Sequence, residues 1–395
     1  MKHRNFRLYY FGQIVSLCGT WMQNVALAWL VYRLTKSSVW LGLMECATHI
    51  PMVLFGLSAG WIADHFDRRR TIIITQSLAM VQALVLAYLT LTERIQIWHA
   101  VCLAFFLGSC TAFELPSRQA FLVDLVQKDD LVNAVSLNSS MFNLARFLGP
   151  ALAGYVVLFA GEGLCFAINA VSYGAVLLAL FQISVSCPSE VGEEKSSRSV
   201  KQGFQFVWQS RLIRPVVLLV FFVTLFAIQY SVLLPVIAAE VLHGGPATLG
   251  NLRASAGLGA LCAALTLANR GSGPTLLRGV GYASCGLGFS LFCLSLSSNM
   301  ALSCLILLFV GFCNVTLLSG GHSLVQLSVT DALRGRVMSI YMILMLGVNP
   351  VGSLAVGCAA KRFGAPHTVM VCSFIGFLVG LIYLGSTRKN LIKQD

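Results

Sequence analysis

Residues 60–70 read GWIADHFDRRR, and five charges (Asp64, Asp67, Arg68, Arg69 and Arg70) fall within the last seven of them. Long apolar stretches flank this loop on both sides. In a chain of 395 residues that is 57% hydrophobic and only 11% charged, such a concentration calls for a cause. Soluble domains carry about 25% charged residues, so the composition alone points away from water.

Outward from the loop, apolar runs of roughly the 20 residues needed to cross a bilayer recur to both ends of the chain. Spans are expected near 9–32, 38–62, 71–92, 97–118, 135–159, 163–184, 215–239, 247–269, 275–296, 300–325, 337–359 and 366–386. None shows the strict alternation of a membrane barrel strand. The sequence therefore predicts an all-α membrane protein with twelve transmembrane helices.

Charge sets the orientation, because Lys and Arg collect on the cytoplasmic side. With the N-terminus inside, only Arg33, Lys36, Arg94, Lys361 and Arg362 of the 27 Lys and Arg face outward, while Arg146 and Arg253 lie within spans. Both termini are expected in the cytoplasm of a bacterial inner membrane. The net charge of +12 then forms a basic rim against anionic membrane lipids, and no nucleic-acid partner is needed. The apolar stretch after MKHRNFR is too long and too polar for a signal-peptide core, so cleavage is not expected. Thirteen cysteines form no CxxC pair and seven histidines no HxxxH pair. With no P-loop or nucleophile elbow either, no disulfide, metal, cofactor or enzymatic activity is expected.

The longest polar stretch, 185–213, divides a first unit (1–184) from a second (214–395) and reads as a cytoplasmic connection. Its end, GFQFVWQSRLI (203–213), has the pattern of an amphipathic helix lying at the interface. The halves echo one another: LGLME (41–45) aligns with LGNLR (249–253), and FLGPALAG (147–154) with GVNPVGSL (347–354). A parallel repeat of six spans is an architecture of transporters that bind substrate between their halves.

On these residues the chain resembles the major facilitator superfamily, whose loop between helices 2 and 3 carries the pattern seen in GWIADHFDRRR. FELPSRQAFLVDLV (113–126), LNSSMFNLARFLGPALAG (137–154) and RGRVMSIYMILMLGVNPVGSLAVG (334–357) are similar to the branch of the enterobactin exporter and macrolide-efflux proteins. The resemblance implies two six-helix bundles working as a monomer by alternating access. It also implies a cytoplasmic gate in which Gly60 lets helices approach closely and Asp64 meets the start of helix 11, near Gly335 to Ser339. Arg68, Arg69 and Arg70 would anchor the loop to headgroups and to acids at the end of helix 4. A topology signal alone would explain the arginines but not Asp64 or Gly60.

Ionisable groups within spans are expensive and mark function by default. Glu45 and His49, four apart, share one face of helix 2, and Arg253 holds the repeat-equivalent position of Glu45. These three are expected to form an outer gate that also couples protons; local pairing or snorkelling is the alternative. Arg146, with Asn143 beside it, is expected to meet an anionic substrate or the helix 4 acid Glu114, or to tie helices together. Glu114 and Arg118, four apart, suit a local salt bridge. Gly149, Pro150 and Gly154 resemble the helix 5 motif of antiporters, which favours export. One departure is Ala104, where drug–proton antiporters carry an arginine, so coupling would pass to Glu45, His49 or Glu114.

By the same resemblance, helices 1, 4, 7 and 10 line the central cavity. Gln13, Ser16, Thr20, Gln23 and Asn24 form a polar stripe on helix 1, and helix 10 brings Asn314, Ser319, His322 and Gln326. Helix 7 adds Phe226 and Tyr230, and helix 4 adds Phe105 and Phe106. Amides, an imidazole and rings suit a medium-sized organic molecule, siderophore-like or drug-like, exported in exchange for protons. Amides gluing helices to one another is the competing account of the same residues. Uptake by symport and a lipid flippase remain the rival transport modes, although the polar stripe disfavours the second.

Overall fold

The computed structural model describes residues 3–127, 130–183, 200–269 and 274–391. These are helical almost throughout, as a bilayer demands when every backbone N–H and C=O must find a partner within the chain. The first half comprises α1 (Arg4–Thr35), α2 (Ser38–His65), α3 (Arg68–Leu91), α4 (Ile97–Asp124) and α5 (Leu131–Gln182). At 52 residues, α5 would measure about 78 Å if straight, far more than the roughly 30 Å hydrocarbon layer. It breaks instead at Gly161, whose φ of 78° and ψ of 171° only glycine adopts readily. Two spans, the expected fifth and sixth, thus lie within one continuous element.

The short α6 (Val200–Gln209) precedes the second half. Its Phe204 and Trp208 stack at 6.0 Å and stand more than half exposed while Val207 is buried, which gives the helix an apolar outer face. Residues 184–199, most of the expected connection, and Cys187 within it, lie outside the described residues. The seventh span is composite: α7 (Ile213–Phe222), a π turn (Val223–Ala227), α8 (Tyr230–Val236) and a second π turn (Ile237–Val241). Then come α9 (Pro246–Asn269), α10 (Pro274–Leu296), α11 (Met300–Ser328), a span broken into α12 (Asp331–Leu346) and α13 (Asn349–Phe363), and α14 (Ala365–Leu391). The twelve spans form two six-helix bundles. The break in the seventh span meets the break in the eleventh: the Gln229 amide donates to Thr224 O at 2.9 Å and to Asn349 Oδ1 at 3.0 Å. Backbone groups freed by the irregular turns are satisfied there by a side chain.

The face carrying the N-terminus and the α2–α3 turn is termed proximal here, and the opposite one distal. The halves meet along two distal seams built in the same way. On α2, a Cβ added at Gly42 would stand 2.5 Å from Ser353 O of α13, and Ser38 Oγ donates to Gly357 O at 2.8 Å. On α9, a Cβ at Gly250 would stand 2.7 Å from Gly154 Cα and Pro150 O of α5. Gly42 and Gly250 are the two glycines of the repeated LGxxx stretch, so the pseudo-symmetry expected from sequence is realised as one contact made twice.

Toward the proximal face the same helices part. Val53 Cγ2 still comes within 3.8 Å of a Cβ placed at Gly347, but Leu57 on α2 is 88% exposed and Ile343 on α12 60%. Nothing lies within 4 Å of a Cβ at Gly60 or Gly335. The molecule is thus closed distally and open proximally. Gly250→Val puts a branched side chain against backbone that cannot retreat, at a cost of about 1–3 kcal/mol. It is expected to lower thermal stability and to widen the distal α5–α9 distance in spin-label measurements.

Candidate functional site

Between the halves lies a cavity in two connected chambers. The larger, about 330 Å³, is lined by Gln13, Ser16 and Thr20 of α1 together with Gln76, Glu114, Arg118 and Tyr173. The smaller, about 270 Å³, lies beneath the distal seams and takes residues from both halves, including Glu45, Arg146, Tyr230 and Arg253. Trp21, Asn24, Thr48 and His49 border both chambers.

The polar stripe of α1 therefore divides. Gln13, Ser16, Thr20 and Asn24 face the cavity, with Thr20 Oγ1 3.3 Å from Tyr173 Oη. Gln23 does not. It is fully buried, donating to Gln82 Oε1 at 3.0 Å and accepting from Asn169 Nδ2 at 2.8 Å, so it ties α1 to α3 and α5. A spacing of three and four selects a broad face, and the rim of that face belongs to neighbouring helices. Phe105 and Phe106 also depart from expectation: they are 37% and 40% exposed and line neither chamber. Helix 4 offers Leu107, Gly108, Cys110 and Thr111 instead. Of helix 7, Tyr230 reaches the smaller chamber, while Phe226 borders an outer groove with Phe363 and Val371. In α11, Asn314 is buried with Oδ1 unpartnered, His322 stands edge-on to Tyr341 at 5.9 Å, and Ser319 and Gln326 are exposed. None of these four borders either chamber.

The charged groups separate into paired and unpaired. Glu45 Oε2 lies 3.5 Å from His49 Nε2. Glu114 accepts from Gln76 Nε2 at 2.9 Å and lies 3.6 Å from Arg118 Nη1, so it is not the partner of Arg146. The Arg146 guanidinium stands over the Trp21 ring, 5.7 Å from its centroid, while Asn143 donates within its own helix to Ser139 O at 2.9 Å. The expected Glu45–Arg253 ion pair is not made: Arg253 Nη2 makes a long contact of 3.5 Å with Ser231 O and its Nε is buried without a partner. Gly149 seats against α1, where an added Cβ would lie 2.5 Å from Trp21 Cβ, and Gly154 forms the α5–α9 seam.

In the loop 60–70 the arginines have fixed tasks. Arg68 Nη1 donates to both Asp124 oxygens at 2.9 Å, joining the start of α3 to the end of α4. Arg69 donates to Leu180 O at 2.8 Å and Phe181 O at 3.3 Å, satisfying carbonyls at the end of α5. Asp67 caps α3 by accepting from Arg70 N at 2.9 Å, and the Arg70 side chain is exposed. Asp64 is exposed, and among the described residues no hydrogen bond or ion pair engages it.

Sequence reasoning missed the polar contact that crosses the distal end. Tyr32 Oη donates to Glu240 Oε1 at 3.0 Å, linking α1 to the π turn after α8, while Arg33 pairs with Glu162 at 2.8 Å within the first half. The separation of Tyr32 and Glu240 is 208 residues, the same offset that relates Glu45 to Arg253 and LGLME to LGNLR. That shared offset was the available signal, because repeat-equivalent residues that touch must straddle the pseudo-two-fold axis.

Two bundles around a cavity closed at one end define a membrane transporter, not an enzyme. The comparisons with known proteins agree: the chain belongs to the major facilitator superfamily, in the family described as transmembrane secretion effector, whose model matches residues 1–393. It is 26% identical to the staphyloferrin A transporter of Staphylococcus aureus (strain NCTC 8325 / PS 47), covering 98% of each chain. Macrolide efflux protein A of Streptococcus pyogenes is 22% identical, with 94% of this chain and 95% of that protein covered. Among solved structures, a POT family transporter in complex with 5-aminolevulinic acid superposes with a TM-score of 0.79 at 12% identity, covering 98% and 96%. The substrate is a small molecule.

Two neighbouring amides give a direct check on the division of α1. Gln23→Leu strips partners from buried Gln82 and Asn169, at about 1–3 kcal/mol for each group left unsatisfied, and should lower thermal stability in detergent. Asn24→Ala should leave stability near that of the parent protein and change transport.

Proposed function

We propose that this chain exports a small organic molecule, siderophore-like or drug-like, across the bacterial inner membrane by proton antiport. The observation that carries the reading is the cavity walled by both halves, sealed distally by glycine seams and open proximally. With both termini in the cytoplasm, as the distribution of Lys and Arg favours, this is the conformation that loads from inside. The helix 5 motif and a relative named for macrolide efflux support the outward direction, and a relative named for staphyloferrin A supports a siderophore-like cargo.

The residues suggest an order of events. Substrate enters past the exposed Asp64 and the half-buried Gly60 and settles beside Asn24 and Trp21. The proximal ends of α2 and α12 then close, bringing Asp64 to the N-terminal turns of α12, where unpaired backbone N–H groups favour a carboxylate. The distal seams part, the Tyr32–Glu240 and Ser38–Gly357 hydrogen bonds break, and substrate leaves outward. Glu45 and His49, adjacent to the cavity and to the seam, are the groups proposed to take up the returning proton. Arg68 to Arg70 hold the loop in shape throughout, and the chain works as a monomer among lipids that its exposed apolar side chains face.

Comparative metabolite profiling of a deletion strain, cells against spent medium with and without iron, tests the direction and the cargo. A compound retained in cells and absent from the medium is expected; a compound left unused in the medium would establish uptake and sink the export reading. For the coupling, Glu45→Gln is expected to abolish efflux driven by a proton gradient in vesicles while leaving substrate exchange intact. Asp64→Asn should slow transport at least tenfold, about 1.4 kcal/mol, without loss of substrate binding.

A further inference from the structure

Arg146 and Arg253 are not used by the events just described. They come from different halves, on α5 and α9, and line the same distal chamber of about 270 Å³. An arginine inside a membrane span ordinarily faces a carboxylate or backbone carbonyls. Here neither guanidinium has an ion-pair partner among the described residues. Glu45 lies against His49 at 3.5 Å, and Glu114 is engaged by Gln76 and Arg118. Arg146 has the Trp21 ring at 5.7 Å, and Arg253 has one contact of 3.5 Å to Ser231 O and a buried Nε with no partner.

Two guanidinium groups therefore share a chamber with one carboxylate. The positive excess is one charge, with His49 left out of the count. A purely structural tie would show acceptors on both forks, and here the forks are largely unused. Planar guanidinium groups match planar, two-oxygen anions in a bidentate way. An added Cβ at Gly257, one turn after Arg253 on α9, would lie 2.5 Å from the Arg146 carbonyl oxygen, so the two arginines reach the chamber from helices of different halves packed directly together. Two separate forks, each able to take one two-oxygen group, suit a molecule that brings two carboxylates on one carbon skeleton. Leu27, Met44, Leu234 and the Trp21 ring furnish apolar wall for that skeleton. The chamber is small beside the roughly 300–1,000 Å³ of complete ligand pockets, so it takes one end of the molecule while the rest extends into the adjoining chamber of about 330 Å³.

We infer that Arg146 and Arg253 form a carboxylate-binding subsite shared between the two halves, and that the cargo is an organic polycarboxylate. The inference rests on the reading of the cavity as the transport site, and it adds the chemical class of substrate.

Binding of three probes to the full-length protein in nanodiscs, measured calorimetrically at constant ionic strength, tests it. The probes are citrate, its uncharged triethyl ester and glycerol 3-phosphate. Citrate is expected to bind, the ester not to, and the phosphate at least tenfold more weakly. Arg146→Gln and Arg253→Gln should each weaken citrate at least tenfold, Arg146→Lys and Arg253→Lys several-fold less, and Arg94→Gln on the distal surface not at all. The lysine variants, together with thermal unfolding of each protein, separate loss of the subsite from loss of the fold. Citrate affinity unchanged in both glutamine variants, or an ester that binds as well as citrate, would overturn the subsite. Equal binding of the phosphate would overturn the assignment to carboxylates. Failure here alongside proven export of an uncharged or cationic compound would leave the transport reading standing, and citrate binding without any transport would do the reverse.

Discussion

Backbone-to-backbone contact at glycine is the constraint on which this molecule depends. Lipid offers no hydrophobic drive for helices to associate, so the halves must be held by close approach and a few hydrogen bonds. Gly42 against Ser353 and Gly250 against Gly154 supply that approach at two symmetry-related places. The cavity follows from it: helices pinned at their distal ends and free at their proximal ends must enclose a wedge of space. Because each seam is a small, dry contact with one or two polar links, such as Ser38 to Gly357, it can be released as a unit. A seam of large interlocking side chains would fix the halves in one relation.

Much of the architecture was legible in the sequence, because a bilayer imposes a single rule on length and hydropathy. The twelve spans and the repeated LGxxx stretch follow from that rule and from periodicity, while the helix expected over 203–213 runs instead over Val200–Gln209 and gives way to a turn before α7. Gly161 was less visible as a feature of one long helix, since a hydropathy dip does not say whether the backbone merely kinks or ends. Within the site, Glu45 and His49 were legible because four residues on a helix fix a common face. Gln23 was not, because helical spacing cannot say which edge of a polar stripe meets a neighbouring helix and which meets water. The same limit applies to Phe105 and Phe106: in lipid, an aromatic ring is as well placed outside as inside. The pairing of Glu114 with Arg146 failed for a simpler reason, that Arg118 and Gln76 were nearer.

The loop 60–70 shows how two kinds of work occupy one short segment. Arg68 and Arg69 are committed to Asp124 and to the carbonyls ending α5, so they join α3, α4 and α5 within one half. Asp67 is spent on capping α3. Asp64 is exposed like Asp67 and Arg70, but among the described residues no hydrogen bond or ion pair engages it. A rigid collar with one uncommitted carboxylate suits an element that must stay folded while its contacts to the other half come and go.

The unneutralised arginine pair has an electrical consequence. With Glu45 counted, the two arginines leave the empty chamber one positive charge in excess, and a bound dicarboxylate would turn that into one negative charge. A membrane potential of about 100 mV, negative inside, is worth about 2.3 kcal/mol for each elementary charge that crosses it. In the proposed cycle the voltage would act on both strokes, drawing the empty cationic chamber back toward the cytoplasm and pushing the loaded anionic one outward. On that proposal such a machine would be rectified, the resting potential of the cell favouring expulsion of the anion and opposing its capture.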